Sequence, residues 1–106
     1  MLGLDVNLHD YEVGNIKLEY KGKKAQLTLK SPQPQSICCE LRLFGLTYLQ
    51  MELDEPWGPG FYVSYLKTSL QASGRRVELC LNSGDRLIAE CSDVEFVQGH
   101  LGVEIS

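Results

Sequence analysis

Long hydrophobic runs are missing from this chain. Its apolar stretches last only a few residues, far short of the roughly 20 that an α-helix needs to cross a bilayer. Met1–Asp10 has no basic start and no apolar block of about 7–15 residues, so it does not read as a targeting segment. A cytoplasmic protein with no membrane contact is the expectation. Positive charge is scarce as well: 10 Lys+Arg stand against 14 Asp+Glu, a net charge of −4. Nucleic-acid binders need a basic stripe to displace phosphate counterions. Here the basic clusters are only Lys21–Lys24, interrupted by Gly22, and Arg75-Arg76, both at turns. A nucleic-acid partner is therefore not expected.

Histidine occurs only as His9 and His100. Nucleophilic catalysis needs a Ser or Cys beside a base that a third group orients, and no such set is legible. Neither a Gly-x-Ser-x-Gly elbow nor a phosphate-cradling glycine loop is present. Cys38, Cys39, Cys80 and Cys91 show no C-x-x-C spacing, which leaves no zinc-ribbon or thioredoxin-type pattern. No catalysis, cofactor or metal is expected. The four thiols read as buried and reduced, acting as small hydrophobes.

What is present is a period-two alternation of apolar and polar residues over most of the 106 positions. A chain of this length buries roughly 60–70% of its unfolded surface, enough for one core, and residues 1–106 read as one β-rich domain. Ile16, Leu18 and Tyr20 alternate with Lys17 and Glu19; Ala25, Leu27 and Leu29 alternate with Gln26 and Thr28. A two-residue type II′ turn at Gly22-Lys23 would pair Tyr20 with Ala25, Leu18 with Leu27 and Ile16 with Leu29. Pro32 and Pro34 then break the ladder. The next alternation runs from Ile37 to Leu53 and is interrupted at Gly45, either a tight turn between two strands or a bulge in one bent strand.

Asp54-Glu55-Pro56-Trp57-Gly58-Pro59-Gly60 is a loop. Phe61–Thr68 reads as a strand, although Tyr62, Tyr65, Leu66, Ser69 and Leu70 also fit a helical face. Val77–Leu81 and Leu87–Cys91 form a hairpin through Asn82-Ser83-Gly84, with Gly84 in the left-handed position of a bulged turn. That register pairs Leu79 with Leu87 and Val77 with Ala89, and sets Cys80 on the face opposite Cys91. Residues 98–106 read as a loosely attached tail or a short extra strand. About seven or eight short antiparallel strands predict an all-β domain, either a sandwich or a strongly curved, partly closed sheet.

Candidate functional residues concentrate at the loop. Trp57 is the sole tryptophan, held on a proline-stiffened segment. A large ring on such a segment suits an interface; the other reading is a plug over the open end of the core. Asp54 and Glu55 flank it, with Glu52 before them and Tyr62 after, while Glu90, Asp93 and Glu95 form a second acidic group. The carboxylates lack the spacing of a hydrolase pair or a hard-cation loop, and read as a solvated or partner-facing acidic surface. Neighbours on an extended chain point apart, so His9 and Asp10 are not expected to chelate one ion, and Asp10 reads as a turn or cap residue.

Leu8-His9-Asp10 followed by Val13, Ile16 and Leu18 resembles the opening of several small bacterial and toxin-immunity families. The Glu55–Pro59 loop and the Leu81–Glu90 hairpin are similar to segments of such proteins. The resemblance implies a single-domain, β-rich, non-catalytic protein, an immunity-type inhibitor that binds a toxin. An acidic surface would suit a basic partner. Two other readings stand beside it: a small-molecule module with its ligand near Trp57, Tyr62 and Tyr65, and self-association through edge strands.

Overall fold

The computed structural model describes residues 8–98 apart from 33, 35 and 73. Eight strands are present among them: β1 (Glu12–Glu19), β2 (Lys24–Lys30), β3 (Cys38–Phe44), β4 (Tyr48–Met51), β5 (Val63–Gln71), β6 (Gly74–Leu81), β7 (Arg86–Cys91) and β8 (Asp93–Gln98). They form two antiparallel four-stranded sheets, in the orders β1-β2-β3-β8 and β4-β7-β6-β5. The all-β fold read from the alternation is thus a sandwich rather than a closed barrel. Of the tail expected over 98–106, Gln98 belongs to β8, where it pairs with Cys39, and the rest, with His100, lies outside the described residues.

The two sheets are continuous at one corner. β3 and β8 pair in the first sheet, and their continuations β4 and β7 pair in the second. Both chains of this ribbon bend together, one at Gly45 and the other at Ser92. The Ser92 backbone N–H and hydroxyl both donate to the Phe44 carbonyl, at 2.9 and 3.0 Å. Gly45 has φ +63, and a Cβ there would lie 2.0 Å from Ser92 Oγ. Only glycine meets both constraints. The interrupted alternation from Ile37 to Leu53 is therefore two strands in different sheets, not paired with each other. Leu53, at the end of that pattern, lies beyond β4 and is exposed.

Alternate residues of both sheets meet in the core. Leu27, Leu29, Leu41 and Leu43 come from the first sheet and Val77, Leu79, Leu87 and Ala89 from the second, with Leu8 filling in from the N-terminal side. Cys39 and Cys91 belong to this cluster. Cys80 is buried outside it, and Cys38 is exposed. The expectation of four buried cysteines fails at Cys38, because Cys38 and Cys39 take opposite faces of β3. None of the four cysteines is in a disulfide.

The β6–β7 hairpin has the anticipated register, Leu79 opposite Leu87 and Val77 opposite Ala89. Gly84 has φ +93 and its N–H donates to the Leu81 carbonyl. The β1–β2 hairpin departs from expectation by two residues: Leu18 faces Ala25 and Ile16 faces Leu27. Its turn has four residues, Tyr20–Lys23, and the positive φ falls on Lys23 rather than Gly22. Two contacts account for the longer turn. The Lys23 carbonyl accepts from the Leu46 N–H at the corner, and the Lys23 ammonium sits 3.6 Å from the centre of the Tyr20 ring. A shift of two leaves every side chain on its original face, so the pattern alone could not distinguish the registers.

β5 is a strand along its whole length, paired with β6 from Val63–Leu81 to Gln71–Gly74, and begins two residues later than expected. Its helical look has a cause. A bulge between Val63 and Tyr65 places Val63 and Leu66 on the same inward face, three residues apart.

Candidate functional site

The Trp57 loop lies across the β6–β7 turn, and buried polar groups hold it there. Ser83 and Asp85 are the buried polar residues of the described chain. Asp85 Oδ1 accepts hydrogen bonds from the backbone N–H groups of Asp54 and Glu55, at 2.9 and 2.8 Å. Its other oxygen accepts from the Ser83 hydroxyl at 3.2 Å. A buried carboxylate is costly unless its oxygens are satisfied, and here the loop backbone satisfies one of them. The loop backbone is therefore held at Asp54 and Glu55 by a charge-assisted pair of bonds.

Further bonds close the arrangement. The Trp57 N–H donates to the Ser83 carbonyl and the Gly58 N–H to the Glu55 carbonyl, both at 2.9 Å. Glu55 has φ +46, a left-handed backbone that a non-glycine residue adopts only where its surroundings enforce it. Gly84 makes room for the indole: a Cβ there would lie 2.8 Å from Pro56 Cγ and 2.9 Å from Trp57 Cδ2. At the base, Glu52 clamps Arg86, accepting from its backbone N–H at 3.0 Å and its guanidinium at 3.3 Å. At the far end, the Asn82 N–H donates to the Tyr62 carbonyl, and the Val13 N–H to the Phe61 carbonyl.

Trp57 is 73% exposed. The plug reading is thus overturned: the indole lies beside Gly84 at the surface, and Trp57 is not part of the core cluster. Leu53 is still more exposed, at 80%, and Phe61 and Tyr62 are about half exposed with their rings stacked 4.9 Å apart. Leu53, Phe61, Asp85 and Ser83 were not anticipated as site residues. Alternation assigned Leu53 to the core and Phe61 to a strand, and Asp85 read as ordinary turn chemistry. Its only legible signal was a carboxylate directly after the left-handed glycine of a hairpin.

The acidic residues do not make one surface. Asp54 and Glu55 are exposed beside Trp57, whereas Asp93 and Glu95 belong to β8 in the other sheet. Glu95 pairs there with Arg42 at 3.4 Å, and Arg42 also binds Glu40 at 2.7 Å. The Arg42 guanidinium pKa is raised, first by its hydrogen bond to Glu40.

Tyr65 lies in β5 with its hydroxyl donating to Glu78 at 2.7 Å. That bond, with smaller effects of burial and of the Glu78 charge, pushes its pKa up to about 12. A depression of about 480 Å³ lies away from these aromatics, lined by Lys17, Gln26, Arg42 and Phe44 among others.

His9 and Asp10 form the expected turn, but their side chains do not point apart. The chain turns here, with Asp10 at φ +69 and the Tyr11 N–H donating to the Leu8 carbonyl. The side chains then meet at 3.5 Å, and His9 Nδ1 lies 3.0 Å from the Ser64 carbonyl. This ties the N-terminal segment to β5. Among the described residues no group of three or more His, Cys, Asp or Glu is placed to hold a metal ion, and no helix is long and apolar enough to cross a membrane. In comparison with known proteins, no family model and no curated protein matches this chain.

Proposed function

We propose that this chain is a non-catalytic protein-binding module whose contact surface is the 53–62 loop. One observation carries the proposal: an indole 73% exposed on a loop that a buried carboxylate holds in place. Exposing a large apolar ring while spending a buried charge to orient it makes little sense for stability alone. It suits an anchor that enters a partner's pocket with little ordering left to do. Leu53, Phe61 and Tyr62 extend the apolar contact, and Asp54 and Glu55 supply negative charge at its edge.

The partner that fits is a basic protein with an apolar recess, as an immunity-type inhibitor of a toxin would meet. Asp54 and Glu55 steer its approach, so affinity falls as salt rises. A pull-down from lysate of the source organism, with tagged wild type and Trp57→Ala side by side, tests the reading. A protein held by wild type and lost by the folded variant is the expected result. A protein held equally by both would place the contact elsewhere.

A further inference from the structure

The outer edge of β1 is a second exposed apolar feature, remote in kind from the loop. β1 is an edge strand of the first sheet. Its start is tied to the chain before β5, through the Glu12–Tyr62 bridge and the Val13 N–H bond to the Phe61 carbonyl. A bulge between Val13 and Ile16 then turns the strand away. Among the described residues no strand lies along the outer side of residues 16–19. Ile16 and Leu18 share the face of their buried partners Leu27 and Ala25 yet are 38% and 55% exposed, and Tyr20 at the head of the turn is 78% exposed.

The residues between them decide what fits. When two copies of a strand pair antiparallel about a two-fold axis with one face kept continuous, the axis passes through a residue and its neighbours meet crosswise. An axis at Leu18 sets Lys17 opposite Glu19 of the second copy and Glu19 opposite its Lys17. It also sets Leu18 against Leu18 and Ile16 against Tyr20. An axis at Lys17 or at Glu19 stacks like charges directly opposite each other, which is unfavourable. An axis at Ile16 needs Val13 as a partner position, and the Val13 N–H is already bonded to Phe61. One register alone joins opposite charges and covers all three apolar side chains.

Another edge of the same sheet shows the opposite design. An axis at Val94 of β8 would bring Asp93 against Glu95, acid against acid. β4, an edge of the second sheet, has only four residues.

We infer that β1 pairs antiparallel with β1 of a second copy about a two-fold axis at Leu18, joining two four-stranded sheets into one. Main-chain hydrogen bonds along residues 16–20 supply the contact, and Ile16, Leu18 and Tyr20 leave water together. The inference is independent of the loop and of any partner that it holds.

Sedimentation velocity on the full chain over a wide concentration range tests it, with Lys17→Glu and Glu19→Lys as variants. Both positions are exposed, and circular dichroism checks that each variant is folded. Wild type is expected to dimerise as concentration rises. Each reversal turns two attractive pairs into two repulsive ones and should raise the dimer Kd about tenfold or more. Mixing the two variants in equal amounts restores opposite charges at both crossings, so the mixture should assemble more tightly than either alone. Overturning results would be a monomer at every concentration, a dimer whose Kd neither reversal moves, or a mixture no tighter than its components.

Discussion

The two hairpins β1–β2 and β6–β7 are built from the same kind of alternating sequence, yet they meet water in opposite ways. The β6–β7 turn is buried: Ser83 is fully covered and Asp85 is 4% exposed, because the 53–62 loop rests on them. The β1–β2 turn is open, and so is the apolar face of the strand leading into it. One hairpin serves as a platform and keeps its polar groups inside; the other presents its edge. The difference shows that an exposed apolar side chain has at least two physical settings. One is a loop anchored by a buried charge, where the side chain itself stands out into solvent. The other is a strand edge, where the backbone beside it also has no neighbouring strand among the described residues.

Substitutions at matched positions sharpen this contrast. The largest effect is expected at Asp85→Ala, which leaves the Asp54 and Glu55 N–H groups without their acceptor. Hydrogen bonds to a charged group are worth about 1.5–3 kcal/mol each, and lowering of the urea midpoint by the equivalent of about 2–4 kcal/mol is predicted. A midpoint unchanged within error would mean that the carboxylate does not hold the loop. Gly84→Ala comes next, at about 1–3 kcal/mol, because it combines a left-handed backbone with a clash against Pro56 and Trp57.

Gly22→Ala is the matched control on the open hairpin. Its backbone is not left-handed, and the new Cβ would meet chiefly the flexible end of Glu19. A change within about 0.5 kcal/mol is expected. A large loss there would restore the type II′ turn that the sequence alone suggested.

A smaller effect concerns pH. The Tyr65 pKa is raised to about 12, mainly by its bond to Glu78, above the usual phenol value of about 10. The folded state therefore holds this proton more tightly than the unfolded chain. The associated stability is fully present below pH about 10 and disappears as pH rises towards 12. Urea midpoints should fall more steeply with alkaline pH in wild type than in Tyr65→Phe; parallel curves would contradict the assignment. Among the thiols, Cys38 should react first with a thiol reagent. Cys91 should be slow, since burial raises its pKa.

Much of this fold was legible because period two and turn chemistry agree. Leu79, Leu87, Val77 and Ala89 were placed correctly by a turn whose glycine permits one conformation. The β1–β2 register was not, since its outcome depends on Lys23 meeting Tyr20 and Leu46, a contact between distant segments. The same limit applies to the site. Trp57 stood out by its chemistry, with Asp54, Glu55 and Tyr62 beside it. Asp85 did not, because its burial exists only once the 53–62 loop has settled on the hairpin. Edge exposure at Ile16 and Leu18 was equally hidden, as alternation marks a face and says nothing of whether another sheet covers it.

Trp57 is the sole tryptophan, and this permits one direct test of the contact surface. The chain would be labelled with 5-fluorotryptophan and followed by fluorine NMR while an unlabelled partner, obtained from the pull-down, is added. The signal comes from this chain alone. A fluorine resonance that shifts and broadens in proportion to complex formation is predicted, because the indole passes from water into the partner. A complex that forms while the resonance stays where it was in the free protein would contradict the account.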